Sequence, residues 1–351
     1  MAQNLNRYDR QENQRASAKK ARLKKFQGRS KEKPTATDVS WSDFEVQDMP
    51  DARLGIVASV RGKDLVVMHD GETGTAILSP TLPSALATRL VVGDKVWYKE
   101  ISDANGKSLE IQLRQPRTSV LMRFKGGRKR VFAGAKDEQI VAVNIDVAVI
   151  VASKTHPEFR PRFVDRYLVI CENSGIAPIV CINKSDMPGE IPPSVEWYRA
   201  SNIPVIETST LSLSGIEALK DRMRGKVTVL VGNSGVGKSS LANVLLGAEI
   251  ETKTISEKTD KGKHTTTASS LYHWAENSYL IDTPGIRSLG VFHVEKSELQ
   301  FGFPEFAEFT GECQYNDCTH SHEPICGVRK AAEEGRLNRH RYESYLRMLE
   351  E

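Results

Sequence analysis

The sequence predicts a multidomain protein that combines α/β and β architecture: a small N-terminal β-barrel, a parallel α/β domain and a helical, metal-binding C-terminal module. Residues 53–115 show short strand patterns, strands and helices alternate from residue 146 onward, and cysteines cluster near residue 320. A length of 351 residues suits two or three domains. We divide the chain into four segments, a tail, a barrel, an α/β domain and a metal module, at residues 1–48, 49–117, 118–290 and 291–351.

The composition excludes several classes of protein. Apolar residues make up 39% of the chain and charged residues 27%, which is ordinary for a soluble globular protein. No apolar run approaches the roughly 20 residues that a membrane helix needs. Met-Ala-Gln-Asn leads straight into charged residues without an apolar signal region. We therefore expect a cytoplasmic protein with no membrane partner.

Positive charge is concentrated at the N-terminus. Residues 1–33 hold eleven Lys/Arg and three Asp/Glu, whereas the chain as a whole has a net charge of +4. Few large apolar residues occur before residue 48, so we expect this tail to be disordered when unbound. Such a tail either binds nucleic acid, since each cation that meets a phosphate releases a counterion, or serves only to keep the protein soluble.

The barrel is predicted from five short strands separated by turn residues. An OB-like β-barrel is the leading interpretation, and an SH3-like barrel stays open. Residues 111–136 then carry eight Lys/Arg and no acid, which indicates a solvated linker or a phosphate-facing patch. The predicted strands are Leu54–Val60, Asp64–Met68, Thr75–Leu78, Lys95–Tyr98 and Leu109–Leu113.

The α/β domain is predicted from apolar runs that alternate with helical patterns. This alternation indicates a parallel sheet covered on both faces, with ligands at the carboxyl ends of its strands. The predicted strands are Val147–Ala152, Ala177–Ile182, Pro204–Glu207, Val227–Val231 and Tyr279–Ile281. The predicted helices are Arg162–Asn173, Val195–Ser201, Gly215–Met223 and Lys238–Leu246.

A phosphate-binding loop follows the strand Val227–Val231. The segment reads Gly232-Asn233-Ser234-Gly235-Val236-Gly237-Lys238-Ser239 and fits G-x-x-x-x-G-K-[ST] in full. Backbone N–H groups of such a loop, with the N-terminus of the next helix, bind phosphate oxygens. We expect Lys238 to reach the β- and γ-phosphates and Ser239 to bind Mg²⁺, and we count Ser240 among the nucleotide-binding residues.

The base of the bound nucleotide is predicted from Asn183-Lys184-Ser185-Asp186, which follows another predicted strand. The Asp186 carboxylate can accept hydrogen bonds from the ring N–H and the exocyclic amine of guanine, whereas the lone pair of adenine would repel it. Asn183 would tie loops together and Lys184 would lie over the base. Ser209 and Thr210, after the next strand, either support the base or form an ordinary turn.

The segment Asp282-Thr283-Pro284-Gly285 is predicted to form the part of the site that meets the γ-phosphate and its Mg²⁺. Asp282 would bind Mg²⁺ through water and the Gly285 N–H would meet the γ-phosphate. Among Thr265-Thr266-Thr267 we favour Thr266 as a further magnesium ligand. Loops held by the γ-phosphate relax after hydrolysis.

Catalysis needs a group that orients water. Ile286 stands after this motif, where many GTPases have Gln, so slow intrinsic hydrolysis is expected. Our hypothesis is that His264 positions the water, and the alternative is that it is a surface histidine.

The chain order of these motifs is unusual, because Asn183 precedes Gly232 whereas most GTPases have the phosphate loop first. Binding depends on spatial arrangement, so a fold cut at one loop and rejoined at another keeps its site. The fold predicted for residues 118–290 therefore resembles the circularly permuted P-loop GTPases. An ATPase would conflict with Asp186.

Three cysteines and a histidine predict a zinc site. Cys313, Cys318, His320 and Cys326 lie within 14 residues and match a closed tetrahedral structural site for one zinc ion. We expect His322 to be exposed, and Cys171 and Cys181 to be core residues. Arg329–Glu350 predicts a single charged helix, with Arg336, Arg339 and Arg341 available to a partner.

The whole arrangement resembles the RsgA (YjeQ) family of small-ribosomal-subunit-dependent GTPases. The resemblance is carried by Arg117-Thr118-Ser119-Val120-Leu121, Gly232–Ser240, His264–Thr267, Asp282–Gly285 and the zinc quartet. It implies a bacterial cytoplasmic GTPase that binds the small ribosomal subunit and its rRNA, hydrolyses GTP to GDP and phosphate when docked, and assists late subunit maturation. We expect a monomer with Mg²⁺ bound alongside GTP; the alternative is an RNA-interaction module that binds GTP with little turnover.

Overall fold

The computed structural model describes residues 51–62, 64–80, 90–103, 106–124, 138–247, 269–282 and 296–350. The basic tail (residues 1–48), the basic stretch after residue 124, the threonine segment with His264, and Gly285 with Ile286 lie outside the described residues.

Five strands close into a barrel at the N-terminal side. The strands are β1 (Arg53–Arg61), β2 (Asp64–His69), β3 (Glu72–Leu78), β4 (Lys95–Asp103) and β5 (Gly106–Arg114). Their order is β1-β2-β3-β5-β4, and pairing of β4 with β1 closes the circle. Val57, Val67, Val96 and Ile111 point into the barrel and are fully buried. The predicted OB-like barrel is thereby confirmed.

A hairpin, β6 (Val120–Phe124) with β7 (Glu138–Val143), connects the barrel to the α/β domain. No strand was predicted here, because the positive charge of residues 111–136 outweighed the short apolar run Val120–Met122. Arg117, just before β6, is buried and donates two hydrogen bonds to Asp94 of the barrel, from Nε at 2.8 Å and from a terminal nitrogen at 2.9 Å. A two-point bond of this kind fixes orientation as well as position.

The α/β domain is built on β8 (Val147–Ser153), β9 (Ala177–Asn183), β10 (Val205–Glu207), β11 (Val227–Gly232), β12 (Ser270–Ala275) and β13 (Ser278–Asp282). The sheet order is β10-β9-β8-β11-β13-β12, and all neighbours are parallel except β12 and β13. The predicted sheet lacked β12, which continues through Ser59 of β1 into the barrel.

Helices cover both faces of this sheet. The helices are α1 (Pro161–Ser174), α2 (Val195–Ala200), α3 (Ile216–Met223) and α4 (Lys238–Leu246). Side chains of β8 alternate between two cores: Ile150 packs with α1 and α2, and Val149 packs with α3 and α4. Every residue of β8 is buried, as expected for a central parallel strand.

The C-terminal module is helical. It contains α5 (Lys296–Leu299), three 3₁₀ turns (Gln300–Gly302, Pro304–Glu308 and Thr310–Glu312), α6 (Gly327–Glu333) and α7 (Arg339–Glu350). The prediction of one helix over Arg329–Glu350 is wrong. The chain turns at Gly335, whose φ of 71° suits glycine and breaks the helix.

Arg341 also differs from its prediction, because it is 1% exposed and faces the protein interior. Cys171 and Cys181 are buried and His322 is exposed, as predicted. Within the described ranges, none of the helices has the length and apolar character needed to cross a membrane. The four segment boundaries stay predictions.

Candidate nucleotide site and metal site

The loop after β11 has the backbone of a phosphate cradle. Gly232, Gly235 and Gly237 have φ values of 154°, 81° and 93°. A Cβ on Gly232 would lie 2.3 Å from Val151 O, and one on Gly237 would lie 2.4 Å from Asn183 Nδ2. Glycine is therefore required at both positions by close packing as well as by conformation.

The phosphate loop ends at the N-terminus of α4. Ser234, Gly235, Ser239 and Ser240 are exposed, and Val236 is buried beneath them. The Lys238 ammonium donates to Gly232 O at 2.8 Å and to Asn233 O at 2.6 Å, so it lies inside the curve of the loop. Phosphate oxygens entering this curve would meet N–H groups, a helix N-terminus and a lysine together.

The segment Asn183–Asp186 lies directly against the phosphate loop. Asn183 Nδ2 donates to Val236 O at 2.9 Å, and Lys184 Nζ donates to Gly235 O at 2.7 Å and to His156 O at 2.5 Å. Asn183 is 1% exposed. Two stretches separated by about fifty residues thus form one wall, while Asp186 remains exposed beside it.

Two supporting residues were missed by the sequence analysis. Thr208 is fully buried; its hydroxyl donates to Asn183 Oδ1 at 3.1 Å, and its carbonyl accepts from Ser185 N at 3.0 Å. Lys154 follows β8 and donates to Met187 O at 2.8 Å. Each directly follows a strand, at the edge where ligands bind, and that position was the available signal.

The remaining predicted residues occupy the same edge of the sheet or fall outside the description. Ser209 Oγ accepts from Leu211 N and Ser212 N at 3.2 and 3.1 Å, so its hydroxyl closes its own turn; Thr210 is half-buried. Asp282 ends β13 and is exposed. His264, Thr266 and Gly285 lie outside the described residues.

The order of these loops in the sheet explains the inverted motifs. From β9 through β8 and β11 to β13, adjacent strands are parallel, so their carboxyl ends share one edge. Asn183 ends β9, Gly232 ends β11 and Asp282 ends β13. The segment Asn183–Asp186 and the phosphate loop are therefore neighbours in space, although Asn183–Asp186 comes first in the chain.

Comparison with known proteins agrees with this arrangement. The sequence model of the RsgA GTPase family matches residues 114–292, about half of the chain. The chain belongs to the RsgA GTPase family. Membership of this family implies GTP hydrolysis, and the resemblance stated from the motifs is confirmed.

Two solved structures are similar to this RsgA-family chain over most of its length. YjeQ from Thermotoga maritima is 29% identical with a TM-score of 0.67; the match covers 85% of this chain and 97% of that one. YloQ, described as a circularly permuted GTPase, is 26% identical with a TM-score of 0.65, and the match covers 85% and 94%. The predicted fold class, a barrel with a permuted GTPase domain and a Cys₃His module, is confirmed.

The C-terminal module brings its four predicted metal ligands together. One ligand atom from each of Cys313, Cys318, His320 and Cys326 lies within 4.8 Å of all the others. Two hydrogen bonds shape this loop: Tyr342 donates to His320 O, and Arg329 N donates to Cys326 Sγ at 3.3 Å. Soft thiolates with one imidazole form the donor set that tetrahedral zinc prefers, so the cluster fits a structural zinc site.

The thiols of this cluster differ in acidity. The hydrogen bond with Cys326 lowers the pKa of the Cys313 thiol to about 3, whereas burial raises the pKa of Cys318 to about 12. Three packed thiols cannot all ionise without a positive charge among them. A zinc ion would supply that charge and displace the protons.

The loop between the ligands is folded around Glu323. Its carboxylate accepts from Thr319 N at 2.5 Å, from Thr319 Oγ1 at 2.7 Å and from Ser321 N at 3.1 Å. Although burial alone would raise the pKa of Glu323, these bonds lower it to about 2. Glu323 is therefore charged at neutral pH and holds the loop that carries His320.

Proposed function

We propose that the protein binds GTP at the joined loops and hydrolyses it when docked on the small ribosomal subunit, assisting late subunit maturation. The observation that supports this proposal most directly is the pair of hydrogen bonds from Asn183 to Val236 O and from Lys184 to Gly235 O. These bonds join Asn183 and Lys184 to the phosphate loop, and this supports the proposal that the two segments bind opposite ends of one GTP molecule.

In this proposal, triphosphate oxygens replace the carbonyl groups that Lys238 now contacts. Lys238 then makes charge-assisted bonds, which are roughly twice as strong as neutral ones. The backbone of the loop contributes N–H donors from its glycine-rich turn. The full set of GTP-binding residues in this proposal is Asn183, Lys184, Ser185, Asp186, Ser209, Thr210, Gly232, Asn233, Ser234, Gly235, Val236, Gly237, Lys238, Ser239 and Ser240.

The described residues also fit a magnesium ion. Ser239 lies in the first turn of α4, and Asp282 ends β13, the parallel neighbour of β11, so a hydroxyl and a carboxylate flank the phosphate loop. Oxygen donors of this kind suit Mg²⁺. We propose Ser239, Asp282 and Thr266 as the residues that hold it, where it would neutralise charge developing on the phosphates.

Hydrolysis requires a water molecule aligned with the γ-phosphate. Ile286 has no group that accepts a hydrogen bond from water, so intrinsic turnover is slow and docking must complete the site. We propose that His264 positions the water and that the Gly285 N–H contacts the γ-phosphate. Partner-stimulated turnover that survives His264→Ala, with GTP binding intact, would discard this role.

The partner is proposed from charge and from the family. Residues 1–33 carry an excess of eight positive charges, and residues 111–136 carry eight cations without an acid. Together with an OB-like barrel, these segments suit an RNA partner, here the rRNA of the small subunit. We propose a cytoplasmic monomer that leaves the subunit after hydrolysis.

The decisive experiment measures GTP hydrolysis with and without purified small subunits, paired with co-sedimentation in GDP and in a non-hydrolysable GTP analogue. We expect strong stimulation and GTP-dependent association. Association without stimulation would instead favour the second candidate, a GTP-binding RNA module with little turnover, which Ile286 supports. No association in either nucleotide state would refute the ribosomal role.

A further inference from the structure

The two ring nitrogens of His320 have different surroundings. Nδ1 lies 3.5 Å from Cys313 Sγ and 3.5 Å from Cys326 Sγ. Nε2 lies 3.1 Å from Gln300 Oε1. The ring is fully buried, so these contacts decide which nitrogen carries the proton.

The orientation of the Gln300 amide follows from its second bond. Gln300 Nε2 lies 3.3 Å from Ser297 O, a carbonyl that can only accept a hydrogen bond. The NH₂ group must therefore face Ser297, and the amide oxygen must face His320. Because that oxygen also can only accept, the proton of a neutral His320 ring resides on Nε2, and Nδ1 presents its lone pair to the thiols.

The position of Gln300 is itself fixed by packing. It begins the turn Gln300–Gly302, and a Cβ on Gly302 would lie 2.7 Å from Val169 of α1. Leu299 and Phe303 on either side of this turn are 5% and 0% exposed. The turn that carries Gln300 is thus held against the GTPase domain by packing.

We propose that Gln300 is a positioning residue for the zinc site: its amide oxygen keeps the proton on His320 Nε2 and thereby assigns Nδ1 as the metal ligand. Metal-ligating histidines generally donate their other N–H to such an acceptor. Two distances support the assignment. In a tetrahedral site with Zn–S near 2.3 Å and Zn–N near 2.05 Å, sulfur and nitrogen ligands lie about 3.6 Å apart, close to the 3.5 Å separations of Nδ1 from Cys313 Sγ and Cys326 Sγ.

The proposal rests on the cluster binding zinc, and the test uses the full-length protein with zinc affinity as its readout. Gln300→Leu removes the acceptor while keeping a similar volume. We expect zinc affinity, measured by chelator competition, to fall about 10- to 100-fold, the usual effect of losing such a partner. Gln300→Glu keeps an acceptor and should stay within about threefold of the unmodified protein.

Gln314→Leu is the matched control, because Gln314 lies in the same module beside Cys313 but is exposed. Its zinc affinity should be unchanged. Equal losses in Gln300→Leu and Gln314→Leu would overturn the positioning role.

A second measurement needs no variant. Histidine ¹⁵N NMR of the zinc-loaded protein should show the proton of His320 on Nε2 and the metal on Nδ1. Metal on Nε2 would overturn the proposal even if zinc is bound. A protein that binds no zinc would refute the metal assignment itself, while leaving the GTPase proposal untouched.

Discussion

A single buried hydroxyl, that of Thr208, fixes the orientation of Asn183 in the segment that we propose to bind guanine. It donates to Asn183 Oδ1, and Cys181 Sγ lies 3.2 Å from it, so Asn183 keeps its amide nitrogen aimed at Val236 O. Thr208→Val keeps the shape but leaves Asn183 Oδ1 without this donor. We expect GTP affinity to fall about tenfold, since an unsatisfied buried acceptor costs roughly 1–3 kcal/mol.

The chain provides a control for that substitution. Thr228 on β11 is also fully buried, and within the described part of the chain its hydroxyl has no hydrogen-bond partner. Thr228→Val should leave GTP affinity, measured by titration calorimetry, unchanged. Similar losses in both variants would mean that Thr208 contributes only to packing.

Residues in a local motif could be predicted from sequence. The residues that hold them in place by hydrogen bonds could not. Residue spacing within a short segment is enough to predict the phosphate loop, Asn183–Asp186 and the zinc quartet. Thr208, Lys154 and Gln300 act on residues 20 or more positions away. A place directly after a strand marks Thr208 and Lys154 as candidates. Nothing local identifies the partners of any of the three residues, because strand order and packing set them.

At the level of elements, α7 joins the metal module to the GTPase domain through two faces. Arg341 donates to Asp165 of α1 at 2.5 Å and to Glu305 at 2.7 Å, and Ser344 donates to Asp165 at 2.5 Å. Tyr342 and Tyr345 donate to the carbonyls of His320 and Thr319. One helix therefore holds the zinc loop on one face and α1 on another.

Asp165→Asn tests this joint. It leaves the buried Arg341 guanidinium with one carboxylate fewer, and breaking a buried pair typically costs about 3–5 kcal/mol. We expect a loss of unfolding free energy of about that size in urea titrations, partly recovered in the double variant Asp165→Asn/Arg341→Met. Glu217→Gln, which breaks the exposed pair with Lys220, should cost under about 1 kcal/mol; equal costs would contradict a joint at Arg341.

Elements with a strong hydrophobic pattern were predicted from sequence. Elements that depend on contacts with distant parts of the chain were not. Strands β8, β9 and β11 are mostly apolar runs, and α1 to α4 begin and end within one or two residues of their predicted bounds. The hairpin β6–β7 and strand β12 are stabilised by neighbours that only the folded chain supplies. The exposure of Arg341 was predicted wrongly because a charged residue on a polar helix normally faces solvent. In the folded chain Arg341 is buried in ion pairs with Asp165 and Glu305.

For the whole molecule, the position of the candidate nucleotide site depends more on the order of strands in the sheet than on the order of motifs along the chain. The parallel strands β9, β8, β11 and β13 bring three loops to one edge, whichever loop the chain visits first. The barrel and the metal module attach to this domain at different elements, the barrel through β12 and the metal module through α1. We therefore propose that loops in permuted chain order bind the two ends of one nucleotide.

The most direct test is base specificity in Asp186→Asn. Guanine offers two N–H donors to a carboxylate, whereas xanthine replaces the exocyclic amine by an oxygen that an Asn amide can meet as donor. We expect Asp186→Asn to lose GTP affinity by a factor of about 100 and to gain affinity for xanthosine triphosphate, with Lys238 still required for both. Unchanged preference for GTP in this variant would show that Asp186 does not read the base.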